Sequence, residues 1–209
     1  TSVHRPQQIH SGLVLEADQA CEAPWPEADG LVSNRGGQSL WVCGADCTPV
    51  LIADPLTGHT AACHAGWRGV AARILPSAVE QLEARGARRK DLVVALGPAV
   101  SGARYQVGDD VVTAIAASFG SISDGRTALV EAGAVQVDPE PDRYRFDLRL
   151  ATVLQLKDSG LNPANISSCP LCTASEPELF HSWRRDQVKA VQWNGIVSQA
   201  EESGTTLRS

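Results

Sequence analysis

Residues 43–69 read CGADCTPVLIADPLTGHTAACHAGWRG, with apolar runs at 49–53 and 60–63 separated by DPLTGH. Short runs of Val, Ile, Leu and Ala bounded by Pro, Gly and Asp read as two buried strands joined by a turn. Such a pair needs only apolar residues to fold, yet this one also carries three cysteines, two histidines, two aspartates and an arginine. Side chains alternate along a strand, so Cys63 and His64 face opposite ways and cannot line one site. Cys43 shares a face with Trp41 and Ala45, a core-like setting. Cys47 sits where Asp46 and Pro49 turn the chain, and His64 ends its strand just ahead of Gly66 and Gly69. Polar groups at the ends of strands mark functional sites on a rigid scaffold. Cys47 and His64 are therefore singled out, while Cys43 and Cys63 are expected to be buried and unreactive. Taken alone, a Cys and a His 17 positions apart are weak evidence of a site, and a buried thiol with a hydrogen-bonded core histidine is the better fit. A third ligand would decide. Among the other histidines, His4 lies near a frayed start, His59 in a solvated turn, and His10 just before Gly12.

Outward from this stretch, residues 40–45, 91–96 and 128–137 are further apolar or β-branched runs and read as strands. Helical spacing takes over in VAARILPSAVEQLEARG. There Ile74, Leu75, Ala78, Val79 and Leu82 share one face, and Gly86 is placed to end the helix. Pro76 must kink that helix or mark its start. DDVVTAIAASFG and DLRLATVLQLKDSG repeat the pattern, each closing on Gly. The sequence around Pro24 and Pro26, and around Pro139 and Pro141, reads as loop. Interleaved strands and helices without linker, repeat or low-complexity tract predict a single α+β domain over residues 1–200. The tail EESGTTLRS, residues 201–209, is expected to be disordered.

With 43% hydrophobic and 20% charged residues, the composition is that of a globular protein. A formal net charge of −6 offers no general attraction to nucleic acid or an anionic membrane. No apolar run approaches the roughly 20 residues that span a bilayer, and TSVHRPQQIHSG does not read as a signal peptide. A cytoplasmic location with six reduced thiols is the expectation, because a chain of this length builds a core without covalent staples. Cys169 and Cys172 have no second Cys/His pair nearby and do not read as a zinc knuckle.

Several short segments carry a family likeness: QIH at 8–10, ADGLVS at 28–33, ADCTP at 45–49 and HAGWRG at 64–69. LGPAV at 96–100, YQVG at 105–108, FDL at 146–148, CT at 172–173 and FHSWRRD at 180–186 extend it. From about residue 7 to about residue 186 the sequence resembles the multicopper-polyphenol-oxidase-like, laccase-domain proteins, now regarded as purine nucleoside phosphorylases. The resemblance implies a single-domain, layered α/β/β/α sandwich with mixed sheets, similar in fold to a cysteine-dependent toxin deamidase. It also implies that His10, Cys47 and His64 bind one metal ion. Family members usually begin some tens of residues earlier, with a Gly-rich segment and an Asn-Arg pair, so an N-terminal family segment is expected to be missing. Gln106 stands where the acidic residue of a YEVG motif is common, and KAVQWNG replaces the Gly-Arg that often follows the arginine pair.

Two imidazoles and a thiolate suit Zn²⁺ and leave a fourth tetrahedral position for water or substrate, as in catalytic sites. Cu²⁺ is the alternative cofactor under the older family label of polyphenol oxidase. The chain has no Met to serve as an axial ligand and only five histidines, which argues against it. The resemblance implies a zinc enzyme acting on adenosine or inosine and phosphate, with adenosine deamination as a second reaction. Arg68, ahead of a helix expected from about Val70, is the candidate phosphate clamp or else a surface salt-bridge partner. Arg184 and Arg185 beside Trp183 are candidates to frame a planar, charged ligand, with Tyr105 as a wall. Asp46, next to Cys47, is a candidate to orient a ligand or carry a proton, or merely to cap a turn. Two other readings stay open: a metal-free hydrolase with Cys47 as nucleophile and His64 as base, and a non-enzymatic zinc store or redox sensor.

Overall fold

The two apolar runs of the opening stretch form the centre of the main sheet. In the computed structural model, which describes residues 1–120 and 122–199, Thr48–Ala53 (β5) and Thr60–Ala65 (β6) pair antiparallel. Pro49 faces His64, and Val50 faces Cys63. Every residue of β6 is buried, because the strand is covered on both sides; apart from His64 its residues are accordingly all small. On one side the pair continues through Val93–Leu96 (β7) and Ile166–Ser168 (β11), on the other through Gly30–Val32 (β3) and Val14–Glu16 (β2). The result is a six-stranded mixed sheet in the order β11-β7-β5-β6-β3-β2.

A second sheet combines Ser2–His4 (β1), Gln38–Gly44 (β4) and Gln192–Val197 (β12), with β4 central, parallel to β1 and antiparallel to β12. It lies on the main sheet, β4 against β6. Between the two, Leu31, Leu40, Val42 and Ala62 are buried together with Ala17 and Ala20. A third sheet is antiparallel, with Arg143–Phe146 (β10) between Gln106–Gly108 (β8) and Val135–Val137 (β9). The helices are Trp67–Ala71 (α1), Ile74–Glu83 (α2), Asp109–Ala116 (α3), Gly125–Glu131 (α4), Leu148–Asp158 (α5) and Trp183–Asp186 (α6). α2 covers the other face of the main sheet, packing on β6 and β3. There Ile74, Leu75, Val79 and Leu82 join Val50, Ile52, Phe146 and Leu156 in the larger core. The architecture is the expected α+β layering with mixed sheets.

All five apolar residues assigned to one face of α2 are buried. Pro76 marks the start of that helix: it lies in the first turn, where its missing N–H would have no partner anyway. Arg73, left-handed at φ 61°, separates α2 from α1. The helix after the HAGWRG loop begins at Trp67 rather than Val70 and is a single short piece.

Other expectations are corrected. Residues 128–131 belong to α4 and only Val135–Val137 is strand, because the Asp124 carboxylate accepts from the Thr127 amide and hydroxyl and nucleates a helix. His4 is not frayed. It is fully buried in β1, with Nδ1 donating to the Ala17 carbonyl at 2.6 Å. Cys43 is only half-buried, on the outer face of the second sheet beside Trp41 and opposite Trp193. The alternation was right, but this face of the small sheet is the partly solvated one. Residues 201–209 lie outside the described residues. Among the described residues no helix is long and apolar enough to cross a membrane.

Candidate metal centre

β6 delivers His64, and the bend between β4 and β5 delivers Cys47. The third residue comes from the irregular segment before β2, held in place by a side chain acting as backbone. Gln8 donates to the Cys43 carbonyl at 2.7 Å and accepts from the Cys43 amide at 2.8 Å, mimicking a strand residue paired with β4. The chain then turns through His10, whose backbone is left-handed at φ 62°. Three consecutive amides, of Ile9, His10 and Ser11, donate to the Asp29 carboxylate at 3.2, 3.0 and 2.6 Å, and the Ser11 hydroxyl adds a bond of 2.9 Å. A concave run of N–H groups around a carboxylate is a nest, and it holds the uncommon His10 conformation in place.

His10, Cys47 and His64, 37 and 17 positions apart, thereby bring one donor atom each to within 4.8 Å of one another. The two imidazoles meet edge to face, with centroids 4.9 Å apart. His10 is exposed, Cys47 half-buried and His64 buried, so the cluster opens to solvent on the His10 side. Gly66 lies directly beneath it: a Cβ there would sit 3.0 Å from Cys47 Sγ and 3.2 Å from the His10 ring, which accounts for the glycine of HAGWRG. A second grouping, His4 with Asp18 and Cys21, differs because hydrogen bonds to Ser2 and Ala17 occupy both His4 nitrogens.

The electrostatics follow from burial and these bonds. Burial raises the Asp29 carboxyl, but the bonds from His64 and Ser11 outweigh it and hold the group at about 2. Burial disfavours a charged His64, yet Asp29 and Cys47 push its pKa up to about 9. Cys47 likewise loses hydration, but bonds from His10 and His64 bring its thiol down to about 7. Cys63, on the opposite face, is pushed up to about 12 by burial and by the Asp29 charge. Alkylation of metal-free protein, followed site by site by mass spectrometry, should therefore modify Cys47 with a half-maximal rate near pH 7. Cys63 should stay unmodified at pH 8 in the folded state. Modification of Cys63 ahead of Cys47 would reverse the assignment of faces.

Around the cluster stand the other predicted residues. Asp46, left-handed at φ 97°, accepts from the Thr173 hydroxyl and the Arg184 amide, both at 2.6 Å. Its carboxylate thus ties the Cys47 bend to α6. Arg185 donates to the carbonyls of Thr173 and Phe180 at 2.8 and 2.9 Å and pairs with Asp186 at 2.7 Å. The Arg184 guanidinium stacks on Tyr105 at 4.9 Å and bonds the Gln106 carbonyl, while Arg68 stacks on Trp67 at 4.4 Å. Burial pushes the Tyr105 hydroxyl up to about 12, and the charges of Cys47, Arg184, Arg68 and Asp46 all reach it. Tyr105 is therefore neutral and central to this wall. Sequence reasoning missed Asp29, Gln8 and Thr173. One signal was present for Asp29: an acid immediately before Gly-Leu-Val, in a run bound for the interior, needs partners.

The sequence and the fold match one family. The chain belongs to the family described as multi-copper polyphenol oxidoreductase laccase, whose model matches residues 1–197. It is 40% identical to a protein of Synechocystis sp. named purine nucleoside phosphorylase, over 93% of this chain and 79% of that one. The purine nucleoside phosphorylase YlmD of Bacillus subtilis is 35% identical, over 83% of this chain and 59% of its own length. A protein from an unknown prokaryote, named adenosine deaminase RL5, is 31% identical over 86% of this chain and 68% of its own length. The crystal structure of YlmD from Geobacillus stearothermophilus superposes with a TM-score of 0.83 at 28% identity, over 96% of this chain and 74% of that one. Neisseria meningitidis protein NMB0706 gives 0.80 at 30% identity, over 94% and 75%.

Proposed function

We propose that this protein is a zinc-dependent purine nucleoside phosphorylase acting on adenosine and inosine in the cytoplasm, with adenosine deamination as a second reaction of the same centre. The observation that carries the reading is the convergence of His10, Cys47 and His64 at a solvent-facing opening walled by Tyr105 and Arg184. The donor set fits the metal. Two imidazoles and a thiol already lowered to about 7 form a borderline-soft site with room for a further ligand. When bound, zinc would supply a Lewis acid that polarises a substrate oxygen or water.

The chain's own groups would do the rest. In phosphorolysis a phosphate oxygen bonds to C1′ of the sugar as the bond to the purine nitrogen breaks, and the base leaves with the electron pair and takes up a proton. Arg68 is suited to hold the phosphate, since its planar fork matches two phosphate oxygens. Arg184 and Tyr105 form a flat, cationic wall against which a purine would lie. Asp46 and Arg185 act as braces between the Cys47 bend and α6, because their polar atoms are engaged with Thr173, Arg184, Phe180 and Asp186. Neither nucleic acid nor a membrane has a part in this reading.

The test is turnover of adenosine by purified protein with and without phosphate, separating adenine from inosine as products. In Arg68→Lys the charge remains but the two-pronged contact is lost. Phosphorolysis should fall by about 10-fold or more, and deamination by less. Zinc content should be unchanged. Equal loss of both reactions would move Arg68 from the phosphate to the nucleoside, and no loss would remove it from the site.

A further inference from the structure

We infer that Asp29 is the positioning residue of the metal centre, one carboxylate that orients two of its three ligands at once. The inference rests on reading His10, Cys47 and His64 as a metal site and is independent of which nucleoside reaction they serve. Asp29 precedes β3 and is fully buried. Its two oxygens divide the work. Oδ1 accepts from the His10 amide at 3.0 Å and from His64 Nδ1 at 2.8 Å, so a single atom bridges both histidines. Oδ2 accepts from the amides of Ile9 and Ser11 and from the Ser11 hydroxyl, which sets the turn that presents the His10 ring. The Asp29 carbonyl also accepts from the His64 amide at 2.7 Å, so His64 is held by backbone and side chain together.

The chemical consequence concerns the proton on His64. A carboxylate can only accept, so Nδ1 must carry a hydrogen, and Nε2 is the nitrogen left to ligate beside Cys47 and His10. Carboxylate–imidazole pairs of this kind fix the tautomer and orientation of a ligating histidine, and their loss typically costs about 10–100-fold in metal affinity. An asparagine cannot substitute. Five donors converge on Asp29, and an amide offers one acceptor and one donor end. Turned one way, its NH₂ opposes the amides of Ile9 and Ser11. Turned the other way, it faces Nδ1 and moves the proton to Nε2, the atom that must ligate.

Zinc affinity measured by competition with a chromophoric chelator tests this in wild type, Asp29→Asn and Ser11→Ala. Asp29→Asn should bind zinc about 10–100-fold more weakly. Ser11→Ala removes one of the five donors but keeps the carboxylate on both histidines, so its loss should be smaller than that of Asp29→Asn. In zinc-loaded wild type, imidazole ¹⁵N spectra should show His64 protonated at Nδ1 and ligating through Nε2; this measurement decides even if Asp29→Asn does not fold. Wild-type affinity in Asp29→Asn, or a proton on Nε2, would overturn the role of Asp29. A wild type that takes up no zinc would instead overturn the metal centre itself, and this role with it.

Discussion

Cys47→Ala should keep its fold and lose both zinc and turnover. Cys47 sits in the bend between β4 and β5 and belongs to neither hydrophobic cluster, so the substitution leaves the core intact. The centre keeps two imidazoles but no thiolate. Zinc affinity should fall by more than the roughly 10–100-fold that loss of an outer partner costs. Adenosine turnover should drop at least about 10³-fold, the upper range for a single lost electrostatic contact. Metal analysis, circular dichroism and product assay on one preparation give all three results. Chelated wild type is the companion sample. If Cys47 is a ligand, chelation abolishes turnover and zinc restores it in wild type but not in the variant. If Cys47 is a nucleophile acting without metal, chelated wild type stays active. A variant that retains stoichiometric zinc would remove Cys47 from the centre.

Phe146→Ala should produce the largest loss of stability. Phe146 is fully buried, pairs with Val135 across β10 and β9, and immediately precedes Asp147, the N-cap of α5. Its amide donates to the Tyr105 carbonyl at 2.9 Å, so it joins the third sheet to the wall of the site. Truncating such a side chain costs about 3–5 kcal/mol, the sum of lost transfer energy and the cavity left behind. For a chain of this size that corresponds to a fall in Tm of roughly 6–20 °C. Denaturant unfolding should show a lower midpoint at unchanged slope. A loss below about 1.5 kcal/mol would mean that the surrounding layers collapse into the space.

Much of the scaffold was legible because its signals are local. The strands at 38–44, 48–53 and 60–65 are apolar runs between turn residues, and the buried face of α2 repeats at helical spacing. The segment 128–137 was misjudged because a short apolar run does not distinguish strand from buried helix. What decides there is the Asp124 cap in front of it. β12 went unseen for a different reason. Its partner β4 lies about 150 positions earlier, and no local pattern announces a pairing across that distance.

The candidate centre divides in the same way. Residue order alone determined that Cys63 and His64 face opposite sides and that Cys47 and His64 stand where strands end. Family likeness added His10. Only the tertiary structure decided that Gln8 pins the His10 segment to β4, that Asp46 and Arg185 brace α6, and that Asp29 lies between the two histidines. Those roles depend on bond directions between segments distant in sequence. A carboxylate before a strand is an ordinary residue until the fold buries it, removes its water and leaves five N–H and O–H groups as its only partners.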